Sequence, residues 1–569
     1  MSITINKAKQ NIIHKINKAL GEKIAQESDL VMPSDYNLGD FTYPCFILSK
    51  RLKKAPDVIA TELSAKIKSC QTVKSVSATG PYLNFNLQPK KLMQVLEDIN
   101  DNYGRHTFGK NKKIMVEFAQ ANTHKSFHIG HLRNIIVGES VCRILENAGY
   151  AVIRVNYQGD IGMHIAKCLW GITKLPTQLE QVLNSKDINA KVEFLAQAYV
   201  KGSGSFEKSQ KIKKEIIEIN NKIYASDNAI DSLYHQTRKW SLQYLDKIYK
   251  RLGVKFDRLY FESETFKPGK DMVEKGIKKN FFQISRDAVI FVGSKHGLHD
   301  RVFINSEGNA TYEAKEMALA ALQLAEFNPD LIIHVVGKEQ TEYFKVVTKA
   351  LEYVLPASKG REKHLDYGWV SLKGGKMSSR LGQVVLGEWL LNEVQKEIKK
   401  IMDANPDAKK DRQLAEQITT AVVKFAFLKT GINKDIIFDL QESVSLSGNS
   451  GPYVLYTYAR IASILKKIKS FHMNNGKDKP VINDSERHLL LQLSMFPEVT
   501  QVATIKYDPS LIARYLFELC QTFNDYYHTT SVLKSQGTQQ VFRVELIRAV
   551  AHVISRSVNL LGFAIVKKM

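Results

Sequence analysis

Apolar residues along this chain recur with two periods, and the changes of period mark out its parts. At the N-terminus Ile5, Ile12, Ile13, Ile16 and Leu20 fall mostly on one face of a 3.6-residue repeat, which predicts a helix. A second helix is expected over "APDVIATELSAKIKS" (55–69), and "YLNFNL" (82–87) alternates as a half-buried strand does. The polar, glycine-containing "DNYGRHTFGKNKK" (101–113) closes this unit. Residues 1–105 are therefore expected to form a small α+β domain.

A strand–helix–strand alternation follows. "KIMVEFA" (113–119) reads as a buried strand. Ile129, Leu132, Ile136, Val137 and Val141 give a helical stripe that Gly149 ends, and "AVIRVNY" (151–157) is the next strand. The crossover is long enough to join two parallel strands. Residues 172–245 break the alternation: they are charged, mostly helical and interrupted by "KGSGSFEKS" (201–209), as an insertion would be. Strand signals return in "DLIIHVVG" (330–337) and "LDYGWVSL" (365–372), with the helix "TEYFKVVTKALEYV" (341–354) between them. This predicts a doubly wound parallel sheet that lacks the GxGxxG dinucleotide fingerprint. "DANPDAKKDR" (403–412) marks a second boundary.

Beyond about residue 415 the chain reads as helices throughout, among them 453–470, 509–530 and 542–563, with "MNNGKDKPVIN" (473–483) and "KSQGTQQ" (534–540) as loops. The expected architecture is α/β and all-α multidomain. Its parts are an N-terminal domain at 1–105, a doubly wound, Rossmann-like domain at 106–400 with a helical insertion at about 172–245, and a helical domain at 401–569.

Composition narrows the class. A chain of 569 residues exceeds one core and suggests about three to five domains. No apolar run approaches the ~18 residues of a membrane span. Lys+Arg is 81 against 58 Asp+Glu, a formal charge of +23 spread along the chain, which suits a polyanionic partner. Five cysteines lie far apart with no CxxC pair, as expected of reduced thiols in a cytosolic compartment. The first twenty residues carry lysines rather than arginines and no signal-peptide core, so they read as a domain's first helix and the location as cytoplasmic.

The candidate chemistry concentrates in "ANTHKSFHIGHLRN" (121–134), at the carboxyl end of the first predicted catalytic strand, where open α/β sheets bind ligands. His128 and His131, at i and i+3 in a first helical turn, can share one face beside a helix N-terminus that already favours anions. That is a site for phosphate oxygens. Gly130 would let a ring or ribose approach the backbone. The metalloprotease pattern HExxH is absent, so no metal is assigned.

"HIGH" resembles one signature of class I aminoacyl-tRNA synthetases, and "GGKMSSRLG" (374–382) resembles their second, KMSKS. The two stand after the first and last predicted strands. Further segments narrow the resemblance to arginyl-tRNA synthetases: "QANTHKSFHIGHLRN", "NYQGDIGMHIA", "TYEAKEMALAA" against the family's YxTRD, "VVGKEQTEYF" and "GNSGPYVLYTYARIASIL". The N-terminal "GDF" and "GPYLNFNL" resemble that family too. The matches keep their order from about residue 35 to Met569.

The resemblance implies an arginine–tRNA ligase with ATP as substrate, Mg²⁺ accompanying it, and no tightly bound cofactor. His128, Gly130, His131, Lys376, Met377, Ser378, Ser379 and Arg380 would bind ATP, with His128, His131 and Lys376 catalytic. Ser379 stands where the signature has its second lysine, and Arg380 would supply that charge. Asn122, Glu262, Tyr312, Glu316 and Gln340 would bind arginine. Glu316 replaces the motif's aspartate, moving a carboxylate by about 1.5 Å. Carboxylates with a hydroxyl suit a planar guanidinium with five donors. Asp160 is expected to build its loop rather than touch substrate, and Lys125 has no assigned role. The implied partners are tRNA-Arg, L-arginine and ATP, with no membrane, and the family expectation is a monomer. The rival readings are another class I synthetase, a HIGH-bearing nucleotidyltransferase and a catalytically inactive RNA-binding paralogue.

Overall fold

The computed structural model describes residues 2–33, 35–374, 385–404, 411–468 and 480–568. The N-terminal unit packs the helix Ile3–Leu20 on an antiparallel sheet of β1 (Phe41–Pro44), β2 (Val73–Thr79) and β3 (Tyr82–Leu87), in the order β1-β3-β2. The predicted stripe is the buried one: Ile5, Ile12, Ile13 and Ile16 are in the core. Asp40, of "GDF", is fully buried. It accepts from the Leu87 N–H at 2.5 Å and from Arg487 Nε at 2.5 Å. Arg487 lies on the helix Asp484–Lys506, so this pair ties the N-terminal sheet to the C-terminal helices. Tyr103 adds a hydrogen bond to the Leu493 carbonyl at 2.8 Å.

The central sheet is parallel. It comprises β4 (Lys113–Glu117), β5 (Ala151–Gln158), β6 (Arg258–Phe261), β10 (Leu331–Gly337) and β11 (Glu362–Tyr367), in the order β11-β10-β4-β5-β6. The chain winds outward from β4 to one side and then from β10 to the other. The switch point thus lies between β4 and β10, and a crevice opens beyond their carboxyl ends. Between β6 and β10 stands an antiparallel set, β7 (Gln283–Ser285), β8 (Ala288–Phe291) and β9 (Arg301–Ile304).

The helical region between β5 and β6 has its own core around Ile165, Leu169, Trp170, Phe194, Ile216 and Ile223. "KGSGSFEKS" does not interrupt it where expected: Gly202 and Gly204 lie inside the helix Ile188–Phe206. A Cβ on Gly202 would come within 1.9 Å of the Lys167 carbonyl oxygen, and one on Gly171 within 1.9 Å of that of Ala198. The two glycines let this helix and Met163–Thr173 touch backbone to backbone, which outweighs their poor helix propensity.

Two further expectations are corrected. "LDYGWVSL" is not one strand: β11 ends at Tyr367, and β12 (Val370–Leu372) leaves the sheet to pair in parallel with β13 (Ile436–Phe438). The break falls at Gly368, where a Cβ would meet the Lys434 backbone at 2.5 Å. And β13 is a strand in a region expected to be helical throughout. The rest of that region is helical, with helices at Arg412–Leu428, Gly451–Ile468, Asp484–Lys506, Ser510–Thr529 and Gly537–Leu560. Most of the boundary "DANPDAKKDR" and of the loop "MNNGKDKPVIN" lies outside the described residues. All five cysteines are unpaired, and among the described residues no helix is long and apolar enough to cross a membrane.

Candidate active site

The loop leaving β4 is built from strained backbone. Ala119, Gln120 and His124 all take positive φ (79°, 51° and 58°), which side chains with a Cβ rarely adopt. Side chains from neighbouring elements hold it there. The Ala119 N–H donates to Asn134 Oδ1 at 2.6 Å, Gln120 N–H to Asn156 Oδ1 at 2.9 Å and His124 N–H to Ser241 Oγ at 3.0 Å. The His124 ring sits between Thr123 Oγ1 and Thr237 Oγ1, at 3.0 and 2.8 Å. Burial pushes it down to about 3, so it is a neutral part of the scaffold.

His128 and His131 do come together, as the N-cap and third residue of the helix Ile129–Asn147. Each backbone N–H donates to the other's Nδ1 at 3.3 Å, and the rings stack with centroids 3.6 Å apart. Because Nδ1 accepts in both, a neutral ring carries its proton on Nε2. Burial, with Lys125 nearby, pushes His128 down to about 4, and burial with His128 takes His131 well below its ordinary range. The pair is two neutral N–H donors on a helix N-terminus, not two cations. Gly130 has a nearer reason than ligand approach: a Cβ there would stand 3.0 Å from the His128 ring.

The second signature, Lys376, Met377, Ser378, Ser379 and Arg380, lies outside the described residues. Both flanks are tied to the HIGH stretch. On the far side Ile129 N–H donates to Val385 O at 3.0 Å and Gly387 N–H to Phe127 O at 2.9 Å. On the near side stands Arg133, fully buried. Its NH1 donates to Gly368 O and Trp369 O (2.6 and 3.0 Å), its NH2 to Ile432 O and Lys434 O (3.0 and 2.8 Å). One guanidinium thus fastens the HIGH helix to the start of β12 and the approach to β13. Nothing in the pattern of polar positions marks it.

At the other end of the crevice, Asn122 and Glu262 converge on Gly159. Asn122 Oδ1 accepts the Gly159 N–H at 2.9 Å, and a Cβ on Gly159 would stand 3.1 Å from Glu262 Oε1. Asp160 accepts from Ser263 N–H (2.9 Å), Ser263 Oγ (2.7 Å) and Arg238 Nε (2.9 Å), so it positions the residue beside Glu262. Glu262 Oε2 accepts from Lys315 Nζ at 2.7 Å, both side chains being only 6% exposed. Lys315 stands at the arginine of the YxTRD-like motif, and sequence reasoning passed it over. Burial opposes its charge, but Glu262 outweighs burial and holds the ammonium above its ordinary range.

Tyr312 is more than half exposed, with the Lys315 ammonium 4.8 Å from its ring centroid. Glu316 faces an acidic cluster. His334 is held by Glu362 at 2.7 Å and Glu117 at 3.4 Å, and these two overcome burial to keep its ring protonated. Glu117 also accepts from Gln323 and Gln120. Desolvation first, then Glu117, lifts Glu316 well above the carboxylate range. Gln340 is exposed just past the carboxyl end of β10, at the end of the short turn Lys338–Gln340. Two more residues border the site: His164, which the sequence reading did not single out, and Lys125, to which it gave no role. His164, buried, has an Nε2 without a partner, and exposed Lys125 acts electrostatically on both His128 and Glu262.

Three family models match consecutive parts of the chain. They are the arginyl tRNA synthetase N-terminal domain over 6–87, the catalytic domain of tRNA synthetases class I (R) over 91–440, and the DALR anticodon binding domain over 454–569. The chain is 31% identical to the arginine–tRNA ligase of Borrelia hermsii, with all of both chains covered. It is 32% identical to that of Clostridium perfringens, with 97% of this chain and 99% of the relative covered. The Thermus thermophilus arginyl-tRNA synthetase structure shares the fold, with a TM-score of 0.78 at 24% identity over 99% of this chain and 100% of that one. The chain belongs to the class I arginyl-tRNA synthetases.

Proposed function

We infer that the chain is an arginine–tRNA ligase, acting in the cytoplasm as a monomer. It activates L-arginine with ATP, brought in as its Mg²⁺ complex, to arginyl-adenylate and pyrophosphate. It then passes arginine to the 3′ end of tRNA-Arg. The observation that carries this reading is that, beyond the carboxyl ends of the parallel strands, the loop after β4 leads from an Asn122–Glu262–Lys315 cluster to the paired Nε2–H donors of His128 and His131.

In the first step the arginine carboxylate attacks the α-phosphorus and pyrophosphate leaves. No protein nucleophile is required, so positioning and charge stabilisation do the catalysis. His128 and His131 donate Nε2–H to phosphate oxygens, adding to the free N–H groups of the helix start. Being neutral, they lose no hydrogen bond to a prior proton transfer. Lys376 meets the β- and γ-phosphates, and Met377, Ser378, Ser379 and Arg380 contribute to ATP binding. Lys125, between the two ends, meets the joining carboxylate and phosphate. Asn122, whose oxygen is committed to Gly159, offers its NH₂ to the arginine carboxylate. Glu262 and Glu316 receive the guanidinium, and Tyr312 and Gln340 cover it.

The helical domain reads the anticodon. Arg460 lies 4.8 and 4.9 Å from the ring centroids of Tyr456 and Tyr527, an exposed aromatic–cation stack suited to loop bases. The N-terminal domain meets the tRNA elbow. The test is arginine-dependent ATP–pyrophosphate exchange with and without tRNA-Arg. Exchange with arginine alone among the amino acids is expected, and none under either condition would overturn the reading.

A further inference from the structure

Resting on that reading, we propose that Lys315 is a specificity-determining residue: by holding Glu262 Oε2 it leaves this carboxylate a single free oxygen, and so selects a forked guanidinium over an ammonium. The pair is 2.7 Å long and nearly closed to water. Lys315 reaches Glu262 from the helix Tyr312–Phe327, which also carries Tyr312 and Glu316. Glu262 begins a different helix, Glu262–Lys278, after β6. A substrate cation therefore meets one oxygen of Glu262 from one wall and Glu316 from the other.

A guanidinium can answer both walls, because its five N–H groups lie in one plane and point outward in a fork. An ammonium is a compact point charge that hydrogen-bonds one carboxylate well. It would gain most from a Glu262 with both oxygens free. Lys315 removes that option and sets a like charge beside the spot an ammonium would take. It also neutralises one of four carboxylates (Glu117, Glu262, Glu316 and Glu362) gathered at this end, where His334 answers another. Without Lys315 the pocket would gain one unpaired negative charge with little solvent to screen it, and any cationic side chain would profit. Lysine and ornithine are the competitors this arrangement excludes.

The experiment compares the full-length wild type with Lys315→Met and Lys315→Arg. Arginine and lysine binding are measured by calorimetry, and exchange rates with each amino acid separately. Lys315→Met should lower the arginine-over-lysine ratio in both measurements by about tenfold or more. Lys315→Arg, which can still occupy Oε2, should retain most of it. An unchanged ratio in Lys315→Met overturns the proposal, even if both affinities fall together, since a merely structural residue would behave so. Wild-type protein that binds neither amino acid also overturns it. Selective arginine binding without exchange would sink the ligase reading and leave the selectivity readable. Lys315→Gln replaces the methionine variant if that one melts early.

Discussion

Replacing Arg133 by methionine should loosen one local joint and leave the rest of the molecule folded. The side chain is fully buried and no carboxylate pairs with it; its charge is met by four carbonyl oxygens, and its Nε has no partner. Burial shows its strain on the guanidinium, which is pushed down to about 10. Methionine fills part of the volume but leaves the carbonyls of Gly368 and Lys434 without a donor, while those of Trp369 and Ile432 lose one donor and keep the Ile436 and Gly368 backbone N–H groups. An unsatisfied buried acceptor costs about 1–3 kcal/mol. Against this stands the recovered cost of burying a cation, several kcal/mol. Some of the carbonyls will also find water. A net local loss of about 2 kcal/mol follows, or about 30-fold in the opening equilibrium. Amide hydrogen exchange reads it directly, because Gly368 N–H, Lys373 N–H and Ile436 N–H are bonded across this joint (3.1, 3.0 and 2.8 Å). Peptides over 366–373 and 432–438 should exchange faster by about that factor, while those over β4 and β5 stay unchanged. Protection across β12 and β13 within about threefold of wild type would refute the clamp.

Other consequences can be checked with single variants. His131→Ala and Lys376→Ala should each slow arginine-dependent exchange by about 10² or more, and wild-type rates in both would remove the phosphate assignment. Glu262→Gln should mainly raise the arginine KM, and an unchanged KM would show that another carboxylate grips the substrate. Arginine binding should expel a proton. Glu316 titrates well above the carboxylate range through desolvation and Glu117, and a bound guanidinium favours its ionised form, so affinity rises with pH through the raised value. Calorimetry across a pH series in buffers of different ionisation heat, finding no proton released at any pH, would contradict this. Asp40→Ala strips the buried partner from Arg487 and should cost about 3–5 kcal/mol at the junction of N-terminal sheet and C-terminal helices. Early proteolytic release of residues 1–105 would reveal it, and cleavage kinetics like the wild type's would argue against a latch.

What could be read from the sequence is what local chemistry decides. The helix Thr341–Val354 and the strand Tyr82–Leu87 fall where their periodicity put them, because a side-chain stripe and its flanking turns settle such elements. What escaped depends on partners far along the chain. The break at Gly368 exists because Lys434 crosses there, and β13 is a strand because β12 offers it an edge. Gly202 sits inside a helix because Lys167 lies against it. Lys315 stands one residue from Glu316 and three from Tyr312, both assigned, yet only the fold brings it to Glu262, fifty-three positions earlier.

The histidine-rich stretch shows the same limit at closer range. The sequence reading gave Asn122, His128, Gly130 and His131 to ligands and left His124, Arg133 and Asn134 without a role. The fold divides them by direction. His124, Arg133 and Asn134 turn inward: the His124 ring lies between the Thr123 and Thr237 hydroxyls, Arg133 holds the joint at β12 and β13, and Asn134 donates to the carbonyl of Val335 at 2.8 Å. His128 and His131 each keep an Nε2–H donor for phosphate, and each does so because its other nitrogen caps the helix for its neighbour. The cap determines the tautomer, and the tautomer makes the ring a donor at neutral pH without a positive charge. A glutamine at either position could donate too, but no amide pair would both cap the helix and stack at 3.6 Å. The motif's two histidines are therefore explained as one unit, and replacing either should disorder the other's Nε2–H as well as remove its own.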